Sequence, residues 1–233
     1  GADRVEAVMM PFHFTAKISL EDAEKQANTL GVKYSVKPIE SIYNAFESAL
    51  AEDFLGLATD VTEENLQARI RGTLLMALSN KSGKMVLATS NKSEVAVGYS
   101  TLYGDMVGGF SPLKDVPKTL VYQLSKYRNS LCACIPERVI SRAPSAELRA
   151  DQRDQDSLPD YDELDGIINA YVKLDQTPEQ IARMGYDLQE IRRVIRMIDR
   201  SEYKRRQSSP GIRITHRAFG RDRRYPITNG YIV

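Results

Sequence analysis

The chain has 233 residues, 42% of them hydrophobic and 27% charged, which is enough to bury the core of one large α/β domain. Because 32 Lys and Arg balance 31 Asp and Glu, the net charge of +1 gives no global field that would draw the protein to nucleic acid or to a membrane. No apolar run approaches the length that spans a bilayer and no signal peptide is evident, so we expect a cytoplasmic protein.

Residues that ligate transition metals are scarce. The two cysteines, Cys132 and Cys134, are one residue apart, which is too close for easy disulfide formation and lacks the paired ligands of a zinc site. The histidines are His13 and His216. We therefore expect no transition-metal centre, whereas magnesium held by carboxylates and phosphates remains compatible, because it needs few protein ligands.

The first fifty residues predict two strand-then-helix units. Residues 4–10 have the apolar character of a buried strand, and Ser19-Leu-Glu-Asp22 is typical of a helix start. That helix is expected to end at Gly31. A second strand is predicted over 33–38 and an amphipathic helix over 39–50.

A long helix and a third strand are predicted next. Thr62 is a good cap for a helix whose apolar residues keep helical spacing up to Leu78. Residues 80–84 predict a turn, and residues 85–88 predict the third strand. Strands and helices that alternate at this spacing indicate parallel strands with right-handed crossovers.

The remainder of the chain predicts loops and helices. A glycine-rich loop is expected over 99–113, a helix over 119–127 and a polar, mobile stretch over 150–160. Further helices are predicted over 161–174, from the Thr177-Pro178 cap, and over 187–206, and the last of these has an arginine-covered outer face. The tail from Ser208 is basic and loop-like.

Arginines interleaved with Phe219 and Tyr225 in that tail would also suit a surface for single-stranded nucleic acid. The net charge of +1 and the acidic stretch upstream argue against this interpretation. We therefore expect neither a nucleic-acid partner nor a membrane.

The most informative stretch is Val86–Val95, which predicts a strand, a tight polar turn and a short helix. Ligands of open α/β sheets bind beyond the carboxyl ends of strands, which places Thr89 and Glu94 in a candidate site. A hydrophilic turn without a ligand is the alternative, and this stretch by itself does not decide between the two.

The motif Ala88-Thr-Ser-Asn-Lys-Ser-Glu94, followed by Tyr103-Gly-Asp105, resembles the synthetase domain of glutamine-dependent NAD synthetases. Further stretches similar to that family occur in order along the chain, from about Val5 to about Asn229. They are Asn65–Arg69 with Arg71, Ala143–Leu148, Ser201–Gln207 and Ala218–Asn229.

The resemblance implies one domain over residues 1–233, with a helical and basic C-terminal portion from about 161. The implied fold is an α/β Rossmann-like parallel sheet with helices on both faces, of the adenine nucleotide alpha hydrolase or N-type ATP pyrophosphatase type.

The family's functional residues can be placed on matching positions of this sequence. The resemblance implies that ATP is contacted by Thr89, Lys118 and Ser145. It implies that the dinucleotide substrate is contacted by Asn65, Arg69, Arg71, Glu94, Tyr99, Ser100, Thr101, Leu102, Asp105 and Lys204. Glu94 is also the implied magnesium ligand, and Lys118 would stabilise charge on the departing pyrophosphate.

The residue pattern by itself is less specific. Asn65 and Arg69 are four residues apart and share a helix face, whereas Arg71 points elsewhere. Asparagine and arginine on a helix are usually solvated, and a lysine in a first helical turn, such as Lys118, is usually a surface residue.

The implied reaction converts nicotinic acid adenine dinucleotide (deamido-NAD) to NAD. ATP adenylates the substrate carboxylate with loss of pyrophosphate, and ammonia then displaces AMP. Adenylation is needed because a carboxylate is a poor electrophile, and no protein nucleophile is required, so the protein positions groups and stabilises charge. The family also implies ammonia supplied by a glutaminase domain and a homo-oligomer, dimeric or higher.

Two parts of the family pattern are absent from the sequence. They are the Ser-Gly-Gly-x-Asp-Ser phosphate loop and the glutaminase domain with its Cys, Glu and Lys. The expectation is a carboxyl-terminal fragment that lacks tight ATP binding and cannot use glutamine by itself.

Two alternatives stay open. One is another adenylating amidotransferase of the same fold, similar to GMP synthetase or asparagine synthetase. The other is a non-catalytic domain for nucleotide binding or assembly.

Overall fold

A computed structural model describes residues 1–231, which form two compact units. Unit 1 comprises Gly1–Arg71 and Tyr122–Asp156. Unit 2 comprises Gly72–Val121 and the described part of Ser157–Val233. Two helices, α3 (Val61–Ser82) and α5 (Lys118–Leu131), contribute residues to both units.

Unit 1 begins with the two predicted strand-then-helix units. A short 3-10 helix, Ala2–Arg4, precedes β1 (Glu6–Met9), which pairs in parallel with β2 (Lys33–Val36), so that Glu6 lies opposite Lys33. Helix α1 (Lys17–Leu30) joins the strands. It ends at Gly31, whose φ of 65° is the left-handed conformation that glycine adopts most easily. The parallel pair confirms the α/β class.

Helix α2 and a small aromatic cluster complete this part of unit 1. Helix α2 (Glu40–Leu50) buries Tyr43, whose ring centre lies 4.6 Å from that of Phe12. Both rings are nearly inaccessible to solvent, as is Ile39 at the helix start. Helix α6 (Glu137–Ser141) belongs to the same unit, where Arg138 Nε donates to the buried Asp22 carboxylate at 2.7 Å.

Helix α3 confirms the long helix but begins differently from the prediction. The carboxylate of Asp60, not the side chain of Thr62, accepts the Thr62 N–H at 2.7 Å. Glu63 in turn accepts the Asp60 N–H at 2.8 Å. Asp60 therefore caps the helix, because a carboxylate favours the N-terminal end of the helix dipole. At the other end the helix continues to Ser82, and Gly83 supplies the turn.

Unit 2 is mainly helical around one hydrophobic core. Its helices are α4 (Lys92–Val97), α7 (Tyr161–Ile168), a π-helical turn (Asn169–Lys173), α8 (Pro178–Ala182), α9 (Leu188–Arg200) and α10 (Glu202–Arg205). Helix α9 buries Ile191, Val194, Ile195 and Ile198 completely. These side chains pack against α4 and α7, and this packing confirms the predicted inward stripe of the helix.

The third strand predicted over 85–88 is not formed. A single parallel bridge joins Leu87 to Phe110, where the Ala88 N–H donates to the Phe110 carbonyl at 2.9 Å. Leu87 is 54% exposed and Met85 is 66% exposed, so their apolar side chains do not build a sheet face. Gly108 allows this close approach, since a Cβ there would lie 2.9 Å from the Val86 carbonyl oxygen.

Two further predictions differ from the structure. Residues 150–160 were expected to be mobile, but they contain a 3-10 helix, Asp154–Asp156, with a buried Asp154. The helix predicted over 187–206 is interrupted at Ser201, where α10 begins. The tail from 208 to 231 forms no helix or strand, as predicted, and residues 232 and 233 lie outside the described part. Within residues 1–231, no helix combines the length and apolar character of a membrane span.

Candidate functional site

The candidate site in unit 2 begins with a capping box at the start of α4. The Asn91 side chain accepts the Glu94 N–H at 3.1 Å, and Glu94 Oε2 accepts the Asn91 N–H at 3.2 Å. The sequence Asn-Lys-Ser-Glu specifies this arrangement, because a cap residue and an acid three positions later satisfy each other's free N–H groups. The capping box therefore fixes the direction of the Glu94 carboxylate.

Lys118, the first residue of α5, forms an ion pair with Glu94. Its Nζ lies 3.0 Å from Glu94 Oε1, and both side chains are only 18% exposed. The same ammonium lies 5.1 Å from the ring centre of Tyr161, which is buried. A carboxylate and an aromatic face together hold a lysine charge in a partly dehydrated position, where its interaction with an anion is stronger than in bulk water.

Asp165, on α7, accepts hydrogen bonds from the first turn of α5. Its Oδ2 accepts the Thr119 N–H at 2.9 Å and the Thr119 hydroxyl at 2.8 Å. Ser93 donates its hydroxyl to Asp165 Oδ1, and Ser93 Oγ accepts the Lys118 N–H at 2.8 Å. The first N–H groups of a helix have no partner within the helix, so Ser93 and Asp165 cap α5 from elsewhere in unit 2.

Lys204 holds the segment that follows α4. Its Nζ donates to the Gly98 carbonyl at 2.8 Å and to the Ser100 carbonyl at 2.7 Å. Burial lowers the pKa of Lys204, and the charge of Asp105 opposes that shift. Asp105 Oδ1 accepts the Thr101 N–H at 2.7 Å. The segment 99–102, which is predicted to contact the dinucleotide, is thus held by Lys204 and Asp105. Both of these residues are also predicted to contact the dinucleotide.

A serine-rich pocket lies beside this segment in unit 2. It is small, and it is lined by Ser90, Ser100, Ser111, Ser208 and Ser209 together with Lys114, Lys204 and Arg205. The cations that line it bind main-chain carbonyls. Lys114 donates to the Ser209 carbonyl at 2.8 Å, and Arg205 donates to the Ala96 carbonyl at 2.6 Å.

The predicted site residues are divided between the units. Unit 2 contains Thr89, Glu94, Tyr99, Ser100, Thr101, Leu102, Asp105, Lys118 and Lys204. Unit 1 contains Asn65, Arg69, Arg71 and Ser145. In unit 2 the structure brings Glu94 to Lys118 and Lys204 to the 98–100 segment, whereas Thr89 is exposed in the turn before α4.

The predicted residues of unit 1 have their own local partners. Arg71 Nε donates to the Met10 carbonyl at 2.9 Å, and burial lowers the pKa of its guanidinium. Ser145 Oγ accepts the Glu147 N–H at 3.1 Å, which forms a tight turn. Asn65 is half-buried and Arg69 is exposed on α3.

Sequence reasoning missed Ser93, Tyr161 and Asp165. The Asn91-x-x-Glu94 spacing is a visible sign of the capping box and could have marked Ser93 as part of a helix start. Tyr161 and Asp165 follow the motif by about seventy residues, and no local pattern in the sequence connects them with it. They reach the site only because α7 packs against α4.

Glu94 does not form a magnesium site with the side chains around it. One of its oxygens accepts from Lys118 and the other from the Asn91 N–H. Among the residues that the structure describes, no three His, Cys, Asp or Glu side chains are grouped to hold a metal. The side chains present therefore do not form a magnesium site by themselves, and the assignment of Glu94 as a magnesium ligand stays a prediction.

The fold and the site together define an α/β protein with a capped, charged site at two neighbouring helix starts. The family model for NAD synthase matches residues 1–208, and the chain belongs to this family. The resemblance seen in the motifs is thereby confirmed.

Curated relatives with high similarity are glutamine-dependent NAD(+) synthetases. The protein from Acinetobacter baylyi is 59% identical over 99% of this chain, and that from Xanthomonas campestris pv. campestris is 51% identical over 99%. The chain spans 43% and 42% of those two proteins, which is less than half of their length.

Solved structures agree in fold. The glutamine-dependent NAD+ synthetase from Acinetobacter baumannii, in complex with ADP, has a TM-score of 0.61 at 55% identity and matches 99% of this chain and 41% of its own. The NMN synthetase from Francisella tularensis has a TM-score of 0.70 at 25% identity, over 85% of this chain and 75% of its own. A synthetase from Cytophaga hutchinsonii at 20% identity has a TM-score of 0.78 over 97% of this chain and 38% of its own, which shows the fold alone.

Proposed function

We propose that this chain provides the synthetase site of a glutamine-dependent NAD synthetase. In this function ATP drives the amidation of deamido-NAD to NAD, with ammonia derived from glutamine by a glutaminase domain. The observation that carries the proposal is the 59% identity with such a synthetase over 99% of the chain.

The chemistry requires activation of a carboxylate. The carboxylate of deamido-NAD attacks the α-phosphorus of ATP, so that an acyl-adenylate forms and pyrophosphate leaves. Ammonia then attacks the carbonyl carbon, AMP leaves with the bonding electron pair, and the nitrogen releases one proton to solvent to give the amide. Neither step needs a protein nucleophile, so the work of the protein is positioning and charge stabilisation.

Lys118 is the residue that we assign to the phosphates. Its ammonium is partly buried and lies at the N-terminus of α5, where the helix dipole adds positive potential. Glu94 holds this ammonium at 3.0 Å, and an arriving phosphate oxygen would compete for it. Negative charge that develops on the departing pyrophosphate would be stabilised there.

The remaining assignments rest on the family. ADP is present in the Acinetobacter baumannii structure, which supports nucleotide binding in this group of proteins. We assign ATP contacts to Thr89 and Ser145 besides Lys118. We assign dinucleotide contacts to Asn65, Arg69, Arg71, Glu94, Asp105, Lys204 and the 99–102 segment. Magnesium, if bound, would need phosphate oxygens in addition to Glu94, and neither step above uses it.

The test supplies ammonium in place of glutamine, so that ammonia production does not limit the reaction. The full protein is incubated with ATP, deamido-NAD and ammonium, and NAD, AMP and pyrophosphate are quantified. We expect the three products in equal amounts. The Lys118→Met variant should lose roughly 100-fold in kcat, whereas Lys126→Met, an exposed lysine further along α5, should behave as wild type. A folded wild-type protein that makes no NAD would contradict the proposal.

The same assay separates the alternatives. Replacing deamido-NAD by xanthylate or aspartate tests a GMP-synthetase-like or asparagine-synthetase-like enzyme, and nicotinic acid mononucleotide tests the activity suggested by the Francisella tularensis relative. Calorimetry with ATP and with deamido-NAD tests the non-catalytic alternative. We also infer a homo-oligomer. Light scattering on the protein as it elutes from a size-exclusion column would measure its molar mass and hence the number of subunits.

A further inference from the structure

The function proposed above assigns no role to a buried ion pair that lies near the candidate site. Lys92 is 5% exposed and Asp115 is 4% exposed, and Lys92 Nζ lies 2.8 Å from Asp115 Oδ1. Both belong to unit 2. Burying two charges costs solvation free energy, so such a pair persists only where further hydrogen bonds satisfy both groups.

The further partners of Lys92 come from the tail. Its ammonium also donates to Thr215 Oγ1 at 2.5 Å and to the Arg217 carbonyl at 2.8 Å. An ammonium has three hydrogens to donate, and here all three have acceptors. Two of the three acceptors belong to the tail segment 214–217.

Asp115 binds the same segment through the main chain. Its Oδ2 accepts the Ile214 N–H at 2.8 Å and the Thr215 N–H at 2.7 Å, and the Thr215 hydroxyl lies 2.8 Å from its Oδ1. The tail from 208 to 231 forms no helix or strand, so its N–H groups need partners outside regular structure. The Lys92–Asp115 pair is therefore an anchor for residues 214–217.

The hydrogen bonds of this pair fit its ionised form, because Lys92 Nζ donates in all three of its bonds and the Asp115 carboxylate accepts in all of its own. Burial lowers the pKa of Lys92, and its bond to Asp115 opposes that shift. The pKa of Asp115 lies below its usual value, because Lys92 and the two tail N–H groups outweigh the effect of burial. The anchor is thus a buried cluster in which the Lys92 ammonium and the Asp115 carboxylate are both hydrogen-bonded to the tail.

The pair joins the two chain segments that carry the candidate site. Lys92 precedes Glu94 by two residues, and Asp115 precedes Lys118 by three. The Lys92 N–H donates to the Val116 carbonyl at 2.9 Å, which joins the start of α4 to the turn before α5. The Lys92–Asp115 and Glu94–Lys118 pairs are therefore parallel links between the same two segments.

We propose that Lys92 and Asp115 are positioning residues for the adenylation step, and that the tail segment 214–217 seated on them fixes the spacing of Glu94 and Lys118. This inference rests on the proposed function. Neither side chain touches substrate in this scheme. Their effect reaches the reaction through the starts of α4 and α5.

Thr215 allows a mild test, because its hydroxyl bridges both members of the pair and its N–H bond remains after substitution. Thr215→Val removes the hydroxyl, Thr215→Ser keeps it, and Thr228→Val makes the same change at an exposed tail threonine. The full protein is assayed for NAD formation with ammonium. Hydrogen exchange is measured without ligands over residues 92–98 and 115–121.

We expect Thr215→Val to lose roughly tenfold in kcat, as for a lost hydrogen bond to a charged group, with KM for deamido-NAD unchanged. Exchange should become faster in both segments. Thr215→Ser should restore kcat and protection, and Thr228→Val should match wild type. A merely structural role would lower the melting temperature and leave kcat of the folded protein unchanged.

The outcomes distinguish this inference from the proposed function. If wild type makes NAD and Thr215→Val keeps both its kcat within about twofold and its exchange rates, the positioning role is overturned. If kcat falls equally in Thr215→Val and Thr228→Val, the role of this pair is also overturned. If folded wild type makes no NAD, the proposed function is overturned, and the positioning role with it.

Discussion

Asp165 and Thr119 are forty-six residues apart in sequence and lie on different helices, and Thr119 donates two hydrogen bonds to one oxygen of the Asp165 carboxylate. The Thr119 N–H is one of the donors that a helix start leaves free, and its hydroxyl binds the same oxygen. Because Lys118 is the neighbouring residue, this capping determines where α5 begins and therefore where the Lys118 ammonium lies.

Removal of the Asp165 carboxylate should therefore destabilise the protein. We expect Asp165→Ala to lower the free energy of unfolding by about 1–2 kcal/mol, the usual cost of losing a helix cap. Denaturant titration measures it. Asp162→Ala, an exposed aspartate on the same helix, should change stability by less than about 0.5 kcal/mol. Equal losses in the two variants would show that Asp165 does not act as a cap.

The capping box of α4 gives a second prediction. Asn91→Ala removes the acceptor for the Glu94 N–H, and we expect a loss of about 1 kcal/mol in the free energy of unfolding. Asn91→Ser should recover most of it, since serine caps helices nearly as well. Thermal or denaturant unfolding compares the three proteins. A serine variant no better than the alanine variant would mean that packing around Asn91, not its hydrogen bond, is what matters.

The elements that the sequence predicted correctly are those with local signals. Gly31 ends α1 with the conformation expected of it, and Thr177 with Gln180 forms a capping box at the start of α8. The four buried residues of α9 follow directly from helical spacing. In each case the deciding interaction lies within a few residues of the pattern that predicts it.

Predictions failed where distant contacts decide the structure. Within residues 1–231, the segment 85–88 that was predicted as a strand has a single bridge, to Phe110. The acidic segment after 150 is ordered through Gln152, which accepts the Leu148 N–H and donates to Glu64. Within the site, Glu94 and Lys118 were identified by resemblance, but Asp165 was not. Its role depends on the packing of α7 against α4, which no short sequence pattern encodes.

Gly98 gives a third prediction, for which Gly31 is a matched control. Both end a helix in the left-handed conformation, with φ of 69° and 65°. A Cβ at Gly98 would lie 2.2 Å from Ser201 Oγ, whereas a Cβ at Gly31 would meet nothing within 4 Å. Gly31→Ala should cost about 1 kcal/mol for the backbone conformation alone. Gly98→Ala should cost about 1–3 kcal/mol more, because it also overpacks the site.

Denaturant unfolding of both glycine variants measures that difference. Gly98→Ala should also slow NAD formation, because a shift of Gly98 moves the carbonyl that Lys204 binds and with it the Lys204 ammonium. Equal stability losses for the two variants would mean that Ser201 moves aside without cost.

Tyr43 predicts a dependence of stability on alkaline pH. Burial and the neighbouring Glu47 raise its pKa from 10.0 to about 12. In the unfolded chain the phenol ionises near pH 10, but in the folded protein it stays protonated to about pH 12. The stabilisation of the fold that comes from this raised pKa is therefore complete below pH 10 and is lost as the pH rises through 12. Unfolding of wild type and Tyr43→Phe from pH 8 to 12 tests this. The free energy of unfolding of wild type, measured relative to that of the variant, should stay constant up to about pH 10 and then decrease. A difference that stays constant throughout would place the folded-state pKa of Tyr43 at its ordinary value.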